Sequence, residues 1–253
     1  DVEFSAPAVT VNASGTGTVI FSGDTSFTAQ GASLTVGGGL LQVDGTLGDV
    51  ALAVLAGARL GGIGTIGSVI DGAGSVDPGN DLGLLTAVQA DPTGGLDYNF
   101  EFTMKNGEPN WAEVENDVFR LTDASTPFMS ALDGDNTISL YLEAALFASL
   151  LDGDELYGGF YTDAGDPLAS LEDAVLDVYY EDAGGSVTYN GVTYSPLTDP
   201  LASFTLGTVA NAEFAAGGYL TVFSYSGAVI PEPASLVLLA LAGVAGVRRP
   251  RRR

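Results

Sequence analysis

The chain has no cysteine and no histidine. Disulfides and thiolate sites are therefore excluded, and the commonest metal ligand and general base is missing as well. Positive charge is almost as scarce, with 8 Lys and Arg against 32 Asp and Glu. Five of those cations, Arg248, Arg249, Arg251, Arg252 and Arg253, stand in the last six positions, so residues 1–247 hold Arg59, Lys105 and Arg120 alone. Three cations against 32 acids give that body a formal charge of −29. Such a surface repels phosphate backbones and anionic leaflets, so no nucleic-acid partner is expected. Charged residues nonetheless make up only 16%, below the roughly 25% usual in globular chains, while 46% are hydrophobic, which suffices for a core. The opening "DVEFSAPAVT" carries no charged-then-apolar secretory signal; either one has been removed or a longer chain lies upstream.

Aromatic residues are missing from residues 28–97, whereas residues 98–227 hold all ten Tyr, Trp111 and nine of the twelve Phe. Two differently filled cores are implied, with a boundary near residue 89. In the first region the pairs Leu34 and Val36, Leu41 and Val43, Leu52 and Val54 have the period of two that places both members on one face of a strand. Gly45-Thr46-Leu47-Gly48 returns 19 residues later as Gly64-Thr65-Ile66-Gly67, and Gly31-Ala32-Ser33-Leu34 returns 26 later as Gly57-Ala58-Arg59-Leu60. Short strands repeated at roughly 20-residue intervals with glycine turns suit a parallel β-solenoid with one narrow core. A glycine-rich antiparallel sheet has the same periodicity.

The stretch "LAGARLGGIGTIGSVIDGAGSVDPGN" resembles the autotransporter-associated β-strand repeat, through Leu60 to Gly67 and the Pro78-Gly79-Asn80 turn. That resemblance implies the last rungs of a right-handed β-helix. Beyond residue 90, strand-length runs with larger side chains follow: "LDYNFEFTM", "NDVFRLT", "NTISLYLEAALF", "DELYGGFYTD", "AVLDVYYED" and "YLTVFSYS". They predict an antiparallel, β-sandwich-like domain or cap, and "NDVFRLT" and "DGDELYGGF" resemble the domain that follows such repeats in the same family. "GGSVTYNGVTY" reads as a hairpin turned at Asn190-Gly191.

Candidate chemistry is acidic throughout. Glu113, Glu115 and Asp117 alternate and would share a strand face, as a glycosidase carboxylate pair does, but 32 acids make such neighbours common. Asp133, Asp135 and Glu143 fail the EF-hand pattern because Ile138 stands where the loop needs glycine. No catalytic residue, metal site or cofactor is therefore expected; loosely bound calcium is compatible with the acidic surface, without a motif that names ligands. A polysaccharide lyase needs a cationic base beside an acidic sugar, and three scattered cations argue against one.

The chain closes with an extended Pro231-Glu232-Pro233, a 14-residue apolar run from Ala234 to Val247 that includes Leu236, Leu238, Leu239, Leu241 and Val244, and then the arginines. As a helix the run spans roughly 21 Å, against a hydrocarbon core of roughly 30 Å. It is short for a lasting anchor, yet it can halt in a bilayer with Arg248, Arg249, Arg251, Arg252 and Arg253 held inside. This arrangement closely resembles the PEP-CTERM sorting signal. The resemblance implies an exosortase-type membrane protease as partner, transient insertion in the inner membrane, and delivery to the cell surface or extracellular matrix.

The sequence thus predicts an all-β protein: a short right-handed parallel β-solenoid over 1–88, a β-sandwich-like domain over 89–228, and a sorting tail with a hydrophobic helix over 229–253. Its expected role is structural or adhesive in a biofilm matrix or envelope, without enzymatic activity and with extracellular polysaccharide as a candidate partner. The alternative is a carbohydrate-binding module or a polysaccharide-active enzyme of the β-helix type.

Overall fold

The computed structural model describes residues 2–12, 16–48, 50–79, 82–90, 95–105, 108–109, 116–123, 136–163, 165–166, 171, 174–199, 201–211 and 216–227. The Pro231-Glu232-Pro233 motif, the apolar run and the arginine tail lie outside the described residues, as do Asn80, Glu113, Glu115, Asp133 and Asp135. The protein is all-β. Its strands are β1 (Val2–Phe4), β2 (Ala8–Asn12), β3 (Thr18–Phe21), β4 (Thr25–Phe27), β5 (Ser33–Val43), β6 (Ala51–Val54), β7 (Ala58–Gly62), β8 (Thr65–Gly72), β9 (Ser75–Pro78), β10 (Leu84–Ala90) and β11 (Asp97–Phe102). There follow β12 (Met104–Lys105), β13 (Glu108–Pro109), β14 (Val118–Leu121), β15 (Thr137–Leu142), the short helix α1 (Ala144–Ser149), β16 (Glu155–Thr162), β17 (Val175–Glu181), β18 (Val187–Tyr189), β19 (Val192–Pro196), β20 (Ala202–Ala210) and β21 (Tyr219–Gly227).

From β5 to β17 the main strands alternate between two parallel ladders. One runs β2, β5, β6, β8, β10, β14, β16; the other runs β3, β5, β7, β9, β11, β15, β17. β5 serves both: Ser33–Val36 pairs in the first and Gly39–Gln42 in the second, with the corner at Gly37-Gly38-Gly39. Gly39 has φ 68°, which a side chain would resist. The period-two pairs face inward as the sequence indicates, since Leu34, Val36, Leu41, Val43, Leu52 and Val54 are all fully buried. They also stack in register, Leu34 on Leu52 and Val36 on Val54.

The two internal repeats have different origins. Thr46 bridges Thr65 in parallel, so the 19-residue repeat is one corner stacked on the next. Gly64 is part of that corner, and a Cβ there would lie 2.1 Å from the Gly45 carbonyl oxygen. The 26-residue repeat instead relates turns that lead into different ladders. Gly31 and Gly57, at φ 69° and 77°, precede β5 in the first ladder and β7 in the second. Their likeness reflects a shared turn chemistry rather than stacking.

Residue 89, where the sequence reading begins a sandwich-like domain, falls within β10 of the first ladder, and both ladders run on past it: β10, β14 and β16 pair in parallel, as do β11, β15 and β17. Antiparallel pairing of the long strands starts with the closing elements, where β20–β21 adds to β16 and the β18–β19 hairpin adds to β17. Period-two alternation reports which face is buried and carries no information on strand direction, which is why parallel strands read as a sandwich. The change at residue 90 is one of core filling. Leu and Val give way to Tyr98, Phe100, Phe102, Phe119, Phe160 and Phe223. Their rings meet edge-on, Tyr98 on Phe160 at 4.9 Å and Phe102 on Phe223 at 5.7 Å, the arrangement that ring quadrupoles favour.

Candidate functional site

Inward apolar residues on the second ladder force their neighbours outward, and the outward positions of β9, β11 and β15 are polar, while β17 turns out Val175, Asp177 and Tyr179. Register lines them up in rows across the strands: Ser75, Asp97 and Thr137 in one; Asn99, Ser139 and Asp177 in the next; Glu101, Tyr141 and Tyr179 in a third. Such a face would ordinarily be a solvated surface. Here the β18–β19 hairpin folds back over it.

The hairpin turn is the two-residue Asn190-Gly191 loop, with φ 46° and 83° and Tyr189 paired to Val192. This matches the turn that its sequence indicates. Asn190 Oδ1 accepts from an Arg59 Nη at 2.8 Å, and Asn190 Nδ2 donates to Glu101 Oε2 at 3.1 Å. The Arg59 Nε donates to Asp77 Oδ2, and Asn99 Nδ2 donates to Asp77 Oδ1 at 2.5 Å. Asp77 is nearly inaccessible. Burial pushes its carboxyl above the ordinary value, opposed by the Arg59 charge and these hydrogen bonds. Arg59 therefore ties together β7, β9 and the hairpin, and its guanidinium also sits 5.3 Å from the Tyr189 ring centre.

Tyr189 in turn stacks on Tyr141, with ring centres 4.0 Å apart and planes at 12°, and Tyr141 stacks on Tyr179 at 5.1 Å and 13°. Tyr194 closes edge-on against Tyr141 at 5.1 Å. Burial raises the Tyr141 and Tyr189 hydroxyls well above their ordinary range, so both stay protonated donors. The Tyr189 hydroxyl is buried beside the Arg59 guanidinium, a pure donor, so its proton has no acceptor.

Between hairpin and ladder lies a cleft of about 430 Å³, with Tyr141, Tyr179 and Tyr189 as one wall and Asp97, Asn99, Thr137, Ser139 and Asp177 as the polar floor. Arg59 and Asn190 part it from a second cleft of about 420 Å³ over Gln42, Gly61 and Asp77. Asp97 is raised by partial burial; a Thr137 hydrogen bond opposes this and the Asp177 charge adds to it.

Of the acids singled out from sequence, Asp117 is buried and structural. Its carboxylate accepts from the Gly83 N–H at 3.0 Å and the Glu101 N–H at 2.8 Å. Burial raises this carboxyl well above its ordinary value. Glu143 accepts from the Met104 N–H at 2.7 Å. Among the described residues no three acidic side chains converge as metal ligands do, and no helix is long and apolar enough to cross a membrane. Sequence reasoning missed the cleft, because its residues come from strands far apart in the chain. The signal available was the row of polar residues at alternate positions in "LDYNFEF", "NTISLYL" and "VLDVYYE". Comparison of the chain with protein-family models, curated proteins and solved structures gives no match.

Proposed function

We propose that the chain is an exported, non-enzymatic protein of the cell surface or extracellular matrix, built as a right-handed parallel β-solenoid and acting in a structural and adhesive role. The observation that carries this reading is the pair of parallel ladders, in which one strand after another presents a regular outer face. Repetition of this kind produces an extended display surface rather than a single enclosed reaction chamber. Delivery follows from the C-terminal pattern: Pro231-Glu232-Pro233 offers an extended stretch to an exosortase-type protease, the Ala234–Val247 run halts in the inner membrane, and the five arginines fix its orientation. The test is mass spectrometry of the surface-released protein in a host that carries the sorting machinery. The mature form lacks the arginine tail, and replacing all five arginines with serine leaves the protein mis-sorted. A surface form that still ends in Arg253 overturns the processing step.

A second reading, carbohydrate binding, is favoured by the tyrosine-walled cleft.

A further inference from the structure

We propose that the cleft between the β18–β19 hairpin and the second ladder is a binding site for a neutral polysaccharide chain. Asp177, Asn99 and Ser139 would hydrogen-bond its hydroxyls while the Tyr179 ring and the edge of Tyr189 border its C–H groups. The proposal deepens the adhesive reading above by naming the class of partner and the residues that hold it.

Three features of the cleft select the ligand. The first is charge. Asp97 and Asp177 stand on the floor, and the nearby Asp77 and Glu101 add to them. The cation within reach, Arg59, is already engaged by Asp77 and Asn190. A polyanion such as a uronate, a sulfated glycan or a nucleic acid would meet uncompensated like charge.

The second feature is the mixed lining. One wall is aromatic and the floor is a sheet face of carboxylate, amide and hydroxyl groups, so the site offers apolar contact and hydrogen bonds side by side. A lipid would leave the floor groups without partners. A peptide strand would seek an open sheet edge, whereas here the floor strands β11 and β15 are hydrogen-bonded on both sides within the ladder. A polyhydroxylated ring has both kinds of surface.

The third feature is the Tyr189 hydroxyl. Tyr189 is 7% exposed and lines the cleft, and the Arg59 guanidinium beside its hydroxyl can only donate, so the hydroxyl proton has no acceptor. A buried hydroxyl left unmatched is costly. A ligand hydroxyl in the cleft would supply the missing acceptor.

The experiment is isothermal titration calorimetry of the purified chain against neutral gluco-, manno- and galacto-oligosaccharides, with oligogalacturonate and an oligomer of glucosamine alongside. Saturable binding of at least one neutral series is expected, with none for the uronate. Asp177→Ala should weaken that binding about tenfold and Tyr189→Phe should weaken it measurably, while melting temperatures stay unchanged because Asp177 is exposed and Phe keeps the stacked ring. Asp177→Asn serves as a second probe should the alanine variant melt early. Four results overturn the proposal: no saturable heat from any neutral series, tighter binding of the uronate, tighter binding of the glucosamine oligomer, or wild-type affinity in folded Asp177→Ala and Tyr189→Phe proteins. Titration of purified protein does not depend on export. Failure of the binding site and failure of the sorting scheme are therefore told apart.

Discussion

Replacing Leu52 with alanine tests whether the ladders behave as a stack of separable rungs. Leu52 is fully buried on β6, with Leu34 beside it on β5 and Val69 on β8. Losing three carbons forfeits roughly 2–3 kcal/mol of transfer free energy. The cavity left between two stacked neighbours raises the expected cost to about 2–5 kcal/mol, a large share of the roughly 5–15 kcal/mol that holds a typical domain. In a stack where each strand bonds only to its neighbours, this loss weakens the two contacts of β6 and leaves distant rungs intact. Hydrogen exchange by mass spectrometry reads the effect directly. Amides of β5, β6 and β8 should exchange faster by about thirtyfold or more, since 2 kcal/mol corresponds to that factor. Those of β15, β16 and β17 should keep their wild-type protection. Ala51→Thr, on the outward side of the same strand, should leave both groups unchanged. Uniform acceleration across all strands would refute the rung-by-rung argument, and unchanged exchange in β5 and β6 would refute the core assignment of Leu52.

Gly191→Ala should cost about 1–2 kcal/mol of strain at φ 83°, lowering the melting temperature by a few degrees with the fold intact, because a Cβ there meets nothing within 4 Å. Gly62→Ala should abolish folding instead, since its Cβ would lie 2.2 Å from the Val43 carbonyl oxygen at φ 114°; similar melts for the two variants would refute this. Asp117 has a raised carboxyl, so between the ordinary carboxylate value and that raised one the folded chain holds more protons than the unfolded chain. Its contribution to stability therefore falls as pH rises, and the stability difference between wild type and Asp117→Asn should shift against the wild type from about pH 4 toward neutrality; a difference independent of pH in urea titrations would contradict it. Arg120 meets Asp163 through two hydrogen bonds of 2.7 and 2.8 Å on a partly exposed face, and Arg120→Lys should cost no more than about 1 kcal/mol by denaturant melts.

The inward faces could be read from sequence because burial imposes a period of two that needs no partner strand to be known. Leu34, Val36, Leu52 and Val54 are cases of this, and the Asn190-Gly191 turn was equally readable because its left-handed backbone restricts residue choice locally. Strand direction was not readable: "NDVFRLT" has the same alternation whether β14 runs parallel or antiparallel to β16. Nor was the site. Asp77 looked like one acid in a turn motif, and its pairing with Arg59 across 18 residues and with Asn99 across 22 exists only once the rungs are stacked. The tyrosine wall draws on β15, β17 and β18, and its central ring, Tyr141, reads from sequence as an ordinary strand aromatic. Glu113 and Glu115 fall outside the described residues, while Asp117, the third member of that alternation, is held by backbone amides rather than facing a substrate.

The placement of the cleft has a consequence for how such a protein can change over generations. Every residue that shapes it lies from Leu40 onward, on β5 and the strands and hairpin that follow, and among the described residues β2 and β3 hydrogen-bond to that part through β5 and the Asp44-Gly45 turn after it. Duplicating or deleting a coil ahead of β5 would therefore alter the reach of the molecule while every hydrogen bond from β7 to the hairpin kept its register. An insertion of one residue between Arg59 and Asp77, by contrast, would shift the ion pair off its rung. The fold thus splits into a stretch whose length is free to drift and a stretch whose spacing is locked, and selection on one need not disturb the other.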